Sequence, residues 1–170
     1  MLGGFIALGA STIAFAAGLR RRLGRDGERA GPGPALMAVS GACITLAGIL
    51  RRDRMANRLP GETEPYRQSA VNDWHDRCSV AAQTLGFAST VALARRFRRD
   101  PDLADLPPRT LGAGAVAFGL AMYFGWNTQR PGNGVVQRVG VTISLAGVAA
   151  VAVRLVRGAH PPRGSRWRAC

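Results

Sequence analysis

The sequence predicts an all-α protein, a polytopic transmembrane helical bundle of about five helices, and three observations carry that expectation. Five long apolar runs punctuate the chain, and only the last of them holds a charge. All ten acidic residues fall between the runs and never inside one. The basic residues are all arginine and crowd the ends of the runs. A soluble amphipathic helix would instead repeat its charges every three or four residues along one face.

The first run, residues 1–19, ends at Arg20-Arg21-Arg22. Ala14-Phe15-Ala16 resembles a cleavage motif, but a signal peptide carries its positive charge before the apolar region, not after it. A spanning helix with its N-terminus outside is the better expectation. The connector ends in Gly31-Pro32-Gly33-Pro34, a strong helix breaker. The second run, 35–50, is short for a bilayer that asks about 20 residues, so Arg51 and Arg52 are expected to snorkel. A polar stretch with Pro60-Gly61 and Pro65 follows.

The third run, 78–94, is the most polar, with Ser79, Gln83, Thr84, Ser89 and Thr90, and it stops at Arg95-Arg96-Phe97-Arg98-Arg99. Polar groups in such a run call for partners on neighbouring helices. The fourth run, 110–126, closes on Tyr123 and Trp126, which suit an interfacial anchor. The fifth, 134–153, is interrupted only by Arg138. Residues 1–157 are read as one transmembrane domain and 158–170 as a basic, disordered cytoplasmic tail.

Charge then sets orientation. With the N-terminus outside, the inner segments hold 15 of the 23 arginines and the outer segments 8. That bias predicts an outside N-terminus and a cytoplasmic C-terminus in the cell membrane. The formal net charge of +13 contains no lysine, and with abundant alanine and glycine it fits a high-GC bacterial genome. A soluble nucleic-acid binder is disfavoured by the five apolar runs, so no nucleic-acid partner is expected. The arginine clusters fit topology determinants first, and anionic lipid head groups second.

Small residues recur at four-residue spacing in Gly3-Ala7-Ser11, Ala10-Ala14-Gly18, Ala115-Gly119 and Gly140-Ser144. Such spacing lets helices approach closely in lipid and admits homo- or hetero-oligomers, although a composition this rich in alanine and glycine also produces it by chance.

Three cysteines, Cys43, Cys78 and Cys170, form no CxxC pair, and His75 and His160 are the only histidines. A zinc ribbon or finger is therefore excluded, and no cofactor or metal is expected. Asp73-Trp74-His75-Asp76 is the most suggestive cluster, standing at the entry to the third helix on the outer side. His75, Ser79 and Gln83 share one helical face. Asp53 lies on the same side, and Arg138 can snorkel or pair with Asp53 or Asp76. An Asp–His–Asp group could hold a divalent ion or let His75 act as a general base. Structural roles compete with this: Asp73 as a helix cap, and Ser79 and Gln83 as bonds to a neighbouring helix. GxSxG, HExxH and phosphate-loop motifs are absent, and no carboxylate lies inside a run, which disfavours a proton-driven transporter.

Arg51-Arg52-Asp53 after an apolar helix, His75-Asp76 with Ser79, Ala94-Arg95-Arg96-Phe97, and Val136-Gln137-Arg138-Val139 follow one another in an order that resembles the bacterial membrane family known as domain of unknown function 998. The resemblance implies a six-helix pattern, of which this chain would begin at the second helix, and it marks Asp53, His75, Asp76 and Arg138 as characteristic polar positions. The family's Phe-Pro before the acidic residue is here Leu50-Arg51. No reaction is implied. The functional expectation is a non-enzymatic multi-pass membrane component. The alternative is a membrane enzyme with an extracytoplasmic Asp/His site acting on a lipid-linked or small ester substrate.

Overall fold

The computed structural model describes residues 2–24, 29–50, 68–126 and 133–158. Five helices follow in chain order: α1 (Leu2–Leu23), α2 (Gly33–Ile49), α3 (Ala70–Phe97), α4 (Pro107–Trp126) and α5 (Asn133–Gly158). No strand occurs among the described residues. The chain is thus all-helical, as its apolar runs predict.

Each helix packs on its neighbour in sequence, and every pair is antiparallel. On α1 and α2, Gly9 faces Gly41 while Phe5 faces Gly48. On α2 and α3, Gly33 meets Leu93 and Ser40 meets Ala82. Thr90 lies against Gly114 between α3 and α4, and Gly140 against Leu120 between α4 and α5. Successive apolar helices, each packed on the next, give this up-and-down order.

Local chemistry sets the helix ends. Arg20, Arg21 and Arg22 occupy the last turn of α1, where cations complement the helix dipole. Gly31 takes φ +74, a left-handed conformation that turns the chain into Pro34 at the start of α2. Ser69 caps α3, its side chain accepting from the backbone N–H of Asn72 at 3.2 Å. The helix therefore begins eight residues before the apolar run at Cys78, and Asp73 sits in its first turn instead of capping it. Helix propensity and a good cap need no apolar residues, so the polar stretch Ala70–Arg77 simply joins the helix. Pro107 likewise opens α4 three residues ahead of Thr110.

The core gathers at one end of the bundle, where α1, α3 and α5 finish and α2 and α4 start. Leu19, Leu23, Leu93, Phe97, Leu103, Leu106 and Val151 pack together there. The turn between α3 and α4 plugs this end with Leu103 and Leu106. Arg22 reaches Asp100 at 3.9 Å and Asp102 at 3.4 Å, Arg154 reaches Asp105 at 3.5 Å, and Arg96 donates to the Leu23 carbonyl at 3.3 Å.

Gly140 apart, the helix contacts use different small residues from those the spacing suggests. A methyl group at Gly3, Gly18 or Gly119 would meet nothing within 4 Å, and Ala7, Ala10, Ala14 and Ala115 are exposed. Close approach falls instead to Gly9 and Gly41, where an added Cβ would lie 2.6 Å and 2.8 Å from the facing glycine's carbonyl oxygen. Spacing identifies a stripe; it does not tell which way the stripe points.

Among the described residues two helices, Leu2–Leu23 and Gly134–Arg157, are long and apolar enough to cross a membrane, and Gly33–Ile49 is apolar but shorter.

Candidate functional site

The polar cluster picked out in the sequence lies at the opposite end of the bundle from the leucine core, where α2 ends and α3 begins. The end of α2 leaves carbonyl groups without helical partners. His75 supplies them: its Nδ1 lies 2.7 Å from the Ala47 carbonyl oxygen and 3.0 Å from that of Leu50. Both neighbours are acceptors, so Nδ1 carries the hydrogen and donates, and in the neutral ring Nε2 is the acceptor nitrogen. The Phe5 ring of α1 meets the imidazole edge-on at 6.5 Å. One side chain thus joins three helices.

Asp76 is engaged elsewhere. Its Oδ2 accepts from Gln68 Nε2 at 3.1 Å and from Asn72 Nδ2 at 3.0 Å. Asn72 is 2 % exposed, the most deeply buried polar residue at this end among the described residues. Ser79 donates to the His75 carbonyl at 2.8 Å, within its own helix. Arg77 lies over the Trp74 ring at 5.3 Å, a cation–π contact on an exposed face.

His75 and Asp76 are therefore neighbours in sequence that face different partners, the imidazole toward α2 and the carboxylate toward Gln68 and Asn72. Arg138 is exposed on α5, which packs against α4, and it pairs with no carboxylate among the described residues. Asp53 lies outside the described residues. Among the described residues, no group of three or more His, Cys, Asp or Glu could hold a metal ion.

Gln68, Ser69 and Asn72 are the members that the sequence reading passed over. Their signal was present: Gln68, Asn72 and Asp76 recur at four-residue spacing, and Ser69 stands three residues before Asn72 as a capping residue does.

No curated protein and no solved structure matches the chain. A family described as "Protein of unknown function (DUF998)" matches residues 1–154, nearly the whole length, and the protein belongs to that family.

Proposed function

We propose that this protein is a non-enzymatic multi-pass component of the cell membrane, with its N-terminus outside and its C-terminus in the cytoplasm. The observation that carries the reading is where the apolar surface points. Only 17 % of the apolar stretch of α1 and 11 % of that of α5 is buried within the chain. A core helix of a water-soluble protein would be mostly buried, whereas a helix facing acyl chains has no reason to be. Val135, Val139, Val141, Leu145, Val148, Val153 and Val156 all look outward from α5.

The two ends of the bundle support an orientation. Arginines close α1, α3 and α5 at the leucine-packed end, the distribution expected of a cytoplasmic face. Trp74, Tyr123 and Trp126 are exposed at the other end, as interfacial anchors are. On this reading the exposed arginines lie against anionic head groups of the inner leaflet.

The polar end of α3 is read as a stitch between helices, because the His75 donor is spent on α2 and Asp76 holds two amides. A second reading, an outer-face enzyme acting on a lipid-linked or small ester substrate, has one observation in its favour: an imidazole with hydrogen on Nδ1 presents Nε2 as a base.

Extraction and reporter fusions test the proposal. The protein is expected to resist alkaline carbonate and to need detergent. Reporters fused after Arg29 and at the C-terminus should read cytoplasmic, and one after Glu64 external. Release by carbonate, or an external C-terminus, overturns it. Hydrolysis of an ester or lipid-linked substrate, lost in a well-inserted His75→Ala protein, would establish the enzyme reading instead.

A further inference from the structure

Cys43 and Cys78 stand on neighbouring helices, and both are free, partly buried thiols in this structure. Two hydrogen-bonded contacts fix the register around them. Ser40 donates to the Ala82 carbonyl at 2.8 Å, and nearer the end of α2 His75 donates to that of Ala47 at 2.7 Å. Cys43 lies between Ser40 and Ala47, and Cys78 between His75 and Ala82. In an antiparallel pair each step along α2 is a step back along α3. Cys43 therefore comes level with Ser79, one residue from Cys78 and roughly 1.5 Å along the axis.

Both thiols also belong to the facing stripes. Gly33, Ser40 and Ala47 mark the side that α2 turns to α3, and Cys43 stands three residues after Ser40 and four before Ala47. His75, Ala82, Ser89 and Leu93 mark the matching side of α3, where Cys78 stands three residues after His75 and four before Ala82. A side chain as short as serine reaches across to the opposite backbone, so the two helices are close. A disulfide asks for that closeness, with Cα atoms about 4.4–6.8 Å apart. The two thiols are near enough to interact electrostatically. Among the described residues no third His, Cys, Asp or Glu completes a metal set with them.

We infer that Cys43 and Cys78 close into an intrachain disulfide that joins α2 to α3 near the outer face. The inference rests on the orientation proposed above, which puts this end of the bundle on the oxidising side of the membrane. The oxidant is the disulfide of an extracytoplasmic oxidoreductase. Cys78, where the polar start of α3 gives way to its apolar run, loses its proton and attacks one sulfur of that disulfide. A mixed disulfide forms, and the oxidant's other sulfur leaves as a thiolate. The Cys43 thiolate then attacks the Cys78 sulfur and expels the remaining oxidant sulfur. Two thiols of this chain are oxidised, one external disulfide is reduced to two thiols, and the two protons end there.

The test is thiol trapping on the full-length chain with Cys170 replaced by serine. Cell membranes are quenched in acid, denatured, and labelled with a polyethylene glycol maleimide before and after reduction. The chain should take up no label until it is reduced and two labels afterwards, and should run as a monomer without reductant. Cys43→Ser or Cys78→Ser in that background should each take up one label without reduction. Cys43→Ser/Thr45→Cys, whose new thiol faces Gly9 of α1, should leave both thiols free. A covalent dimer in place of the monomer, or a bridge formed as readily from residue 45, overturns the inference. So do free thiols in cells whose reporter fusions read a cytoplasmic C-terminus. Free thiols with an external C-terminus fail the orientation instead, and glutathione disulfide applied to the purified chain then decides the pair: closure to a monomeric disulfide bears it out, and failure to close overturns it.

Discussion

The imidazole of His75 ends a helix other than its own: Nδ1 stands 2.7 Å from the carbonyl oxygen of Ala47, in the last turn of α2. A donor placed on two orphan carbonyls does for a helix C-terminus what a capping serine does for an N-terminus. His75→Ala should lower stability by about 1–2 kcal/mol, since it strips both carbonyls of their donor at a half-buried site. His75→Gln, which can present an N–H over a similar reach, should recover part of the loss. Thermal unfolding in detergent measures both. An unchanged midpoint for the alanine variant would mean the carbonyls find another donor.

Asp76 makes a different kind of contact, and it predicts an asymmetry. Asn72 is buried and donates to Asp76, so Asn72→Leu leaves the carboxylate without one amide, while Asp76→Asn keeps an acceptor oxygen in place. Asn72→Leu should therefore cost more, by about 1 kcal/mol, than Asp76→Asn. Equal losses would place the weight of the cluster on the negative charge.

At the other end, the ion pairs differ in their surroundings. Asp105 and Arg154 are each half exposed, and such pairs contribute little. Asp105→Asn should shift stability by less than about 0.5 kcal/mol. Asp100 is 11 % exposed, pairs with Arg22 and also accepts from the Asp102 backbone N–H at 3.1 Å. Asp100→Asn should cost about 1 kcal/mol, because a backbone bond to a charged acceptor is weakened as well as a pair. Chemical denaturation at low and high salt separates the two cases: salt should erase the Asp105 effect and leave most of the Asp100 effect.

The helices were legible because an apolar run longer than a dozen residues, cleared of charge, has few other uses. The start of α3 was not, since Ala70–Arg77 is polar and is made helical by the Ser69 cap. His75 and Asp76 were legible as unusual residues, and four-residue spacing marks Gln68 and Asn72 beside Asp76, but nothing marks the partners of His75. The atoms that His75 contacts are backbone carbonyls, which every residue carries, and no side-chain pattern announces that Ala47 and Leu50 will stand beside residue 75. Asn72 sits among polar neighbours, where nothing in the sequence marks it for burial. Arg22 and Asp100 are brought together only by the turn that folds Leu103 and Leu106 under the bundle.

The glycine contact between α1 and α2 gives a sharper test of packing than any apolar residue. Gly9→Ala puts a methyl group 2.6 Å from the Gly41 carbonyl oxygen, which is backbone and cannot swing aside. The helices must separate, at a cost of about 1–3 kcal/mol, and Gly9→Val should exceed that. Gly3→Ala and Gly18→Ala, with nothing within 4 Å, should be neutral or slightly stabilising, because alanine favours the helix. Thermal midpoints of the four variants rank these positions directly. Equal effects at Gly3 and Gly9 would mean that the outward stripe of α1 is covered as tightly as the inward one.

Two buried serines tie α2 to α3 through backbone carbonyls, one at the start of α2 and one at its middle. Ser89, with no exposed surface, donates to the Gly33 carbonyl, and Ser40 donates from α2 to the Ala82 carbonyl. Replacing either by alanine removes one interhelical bond in a poorly hydrated setting, worth about 0.6–1.7 kcal/mol. Gly33 and Ser40 are seven residues apart, roughly 10 Å along α2, so the losses in Ser40→Ala/Ser89→Ala should add to within about 0.5 kcal/mol. Ser79→Ala and Thr90→Val remove bonds made within α3 and should each cost less than either interhelical serine. A double variant markedly less stable than the sum would mean that α2 and α3 separate as a unit once both bonds are released, so that each serine holds the register on which the other depends.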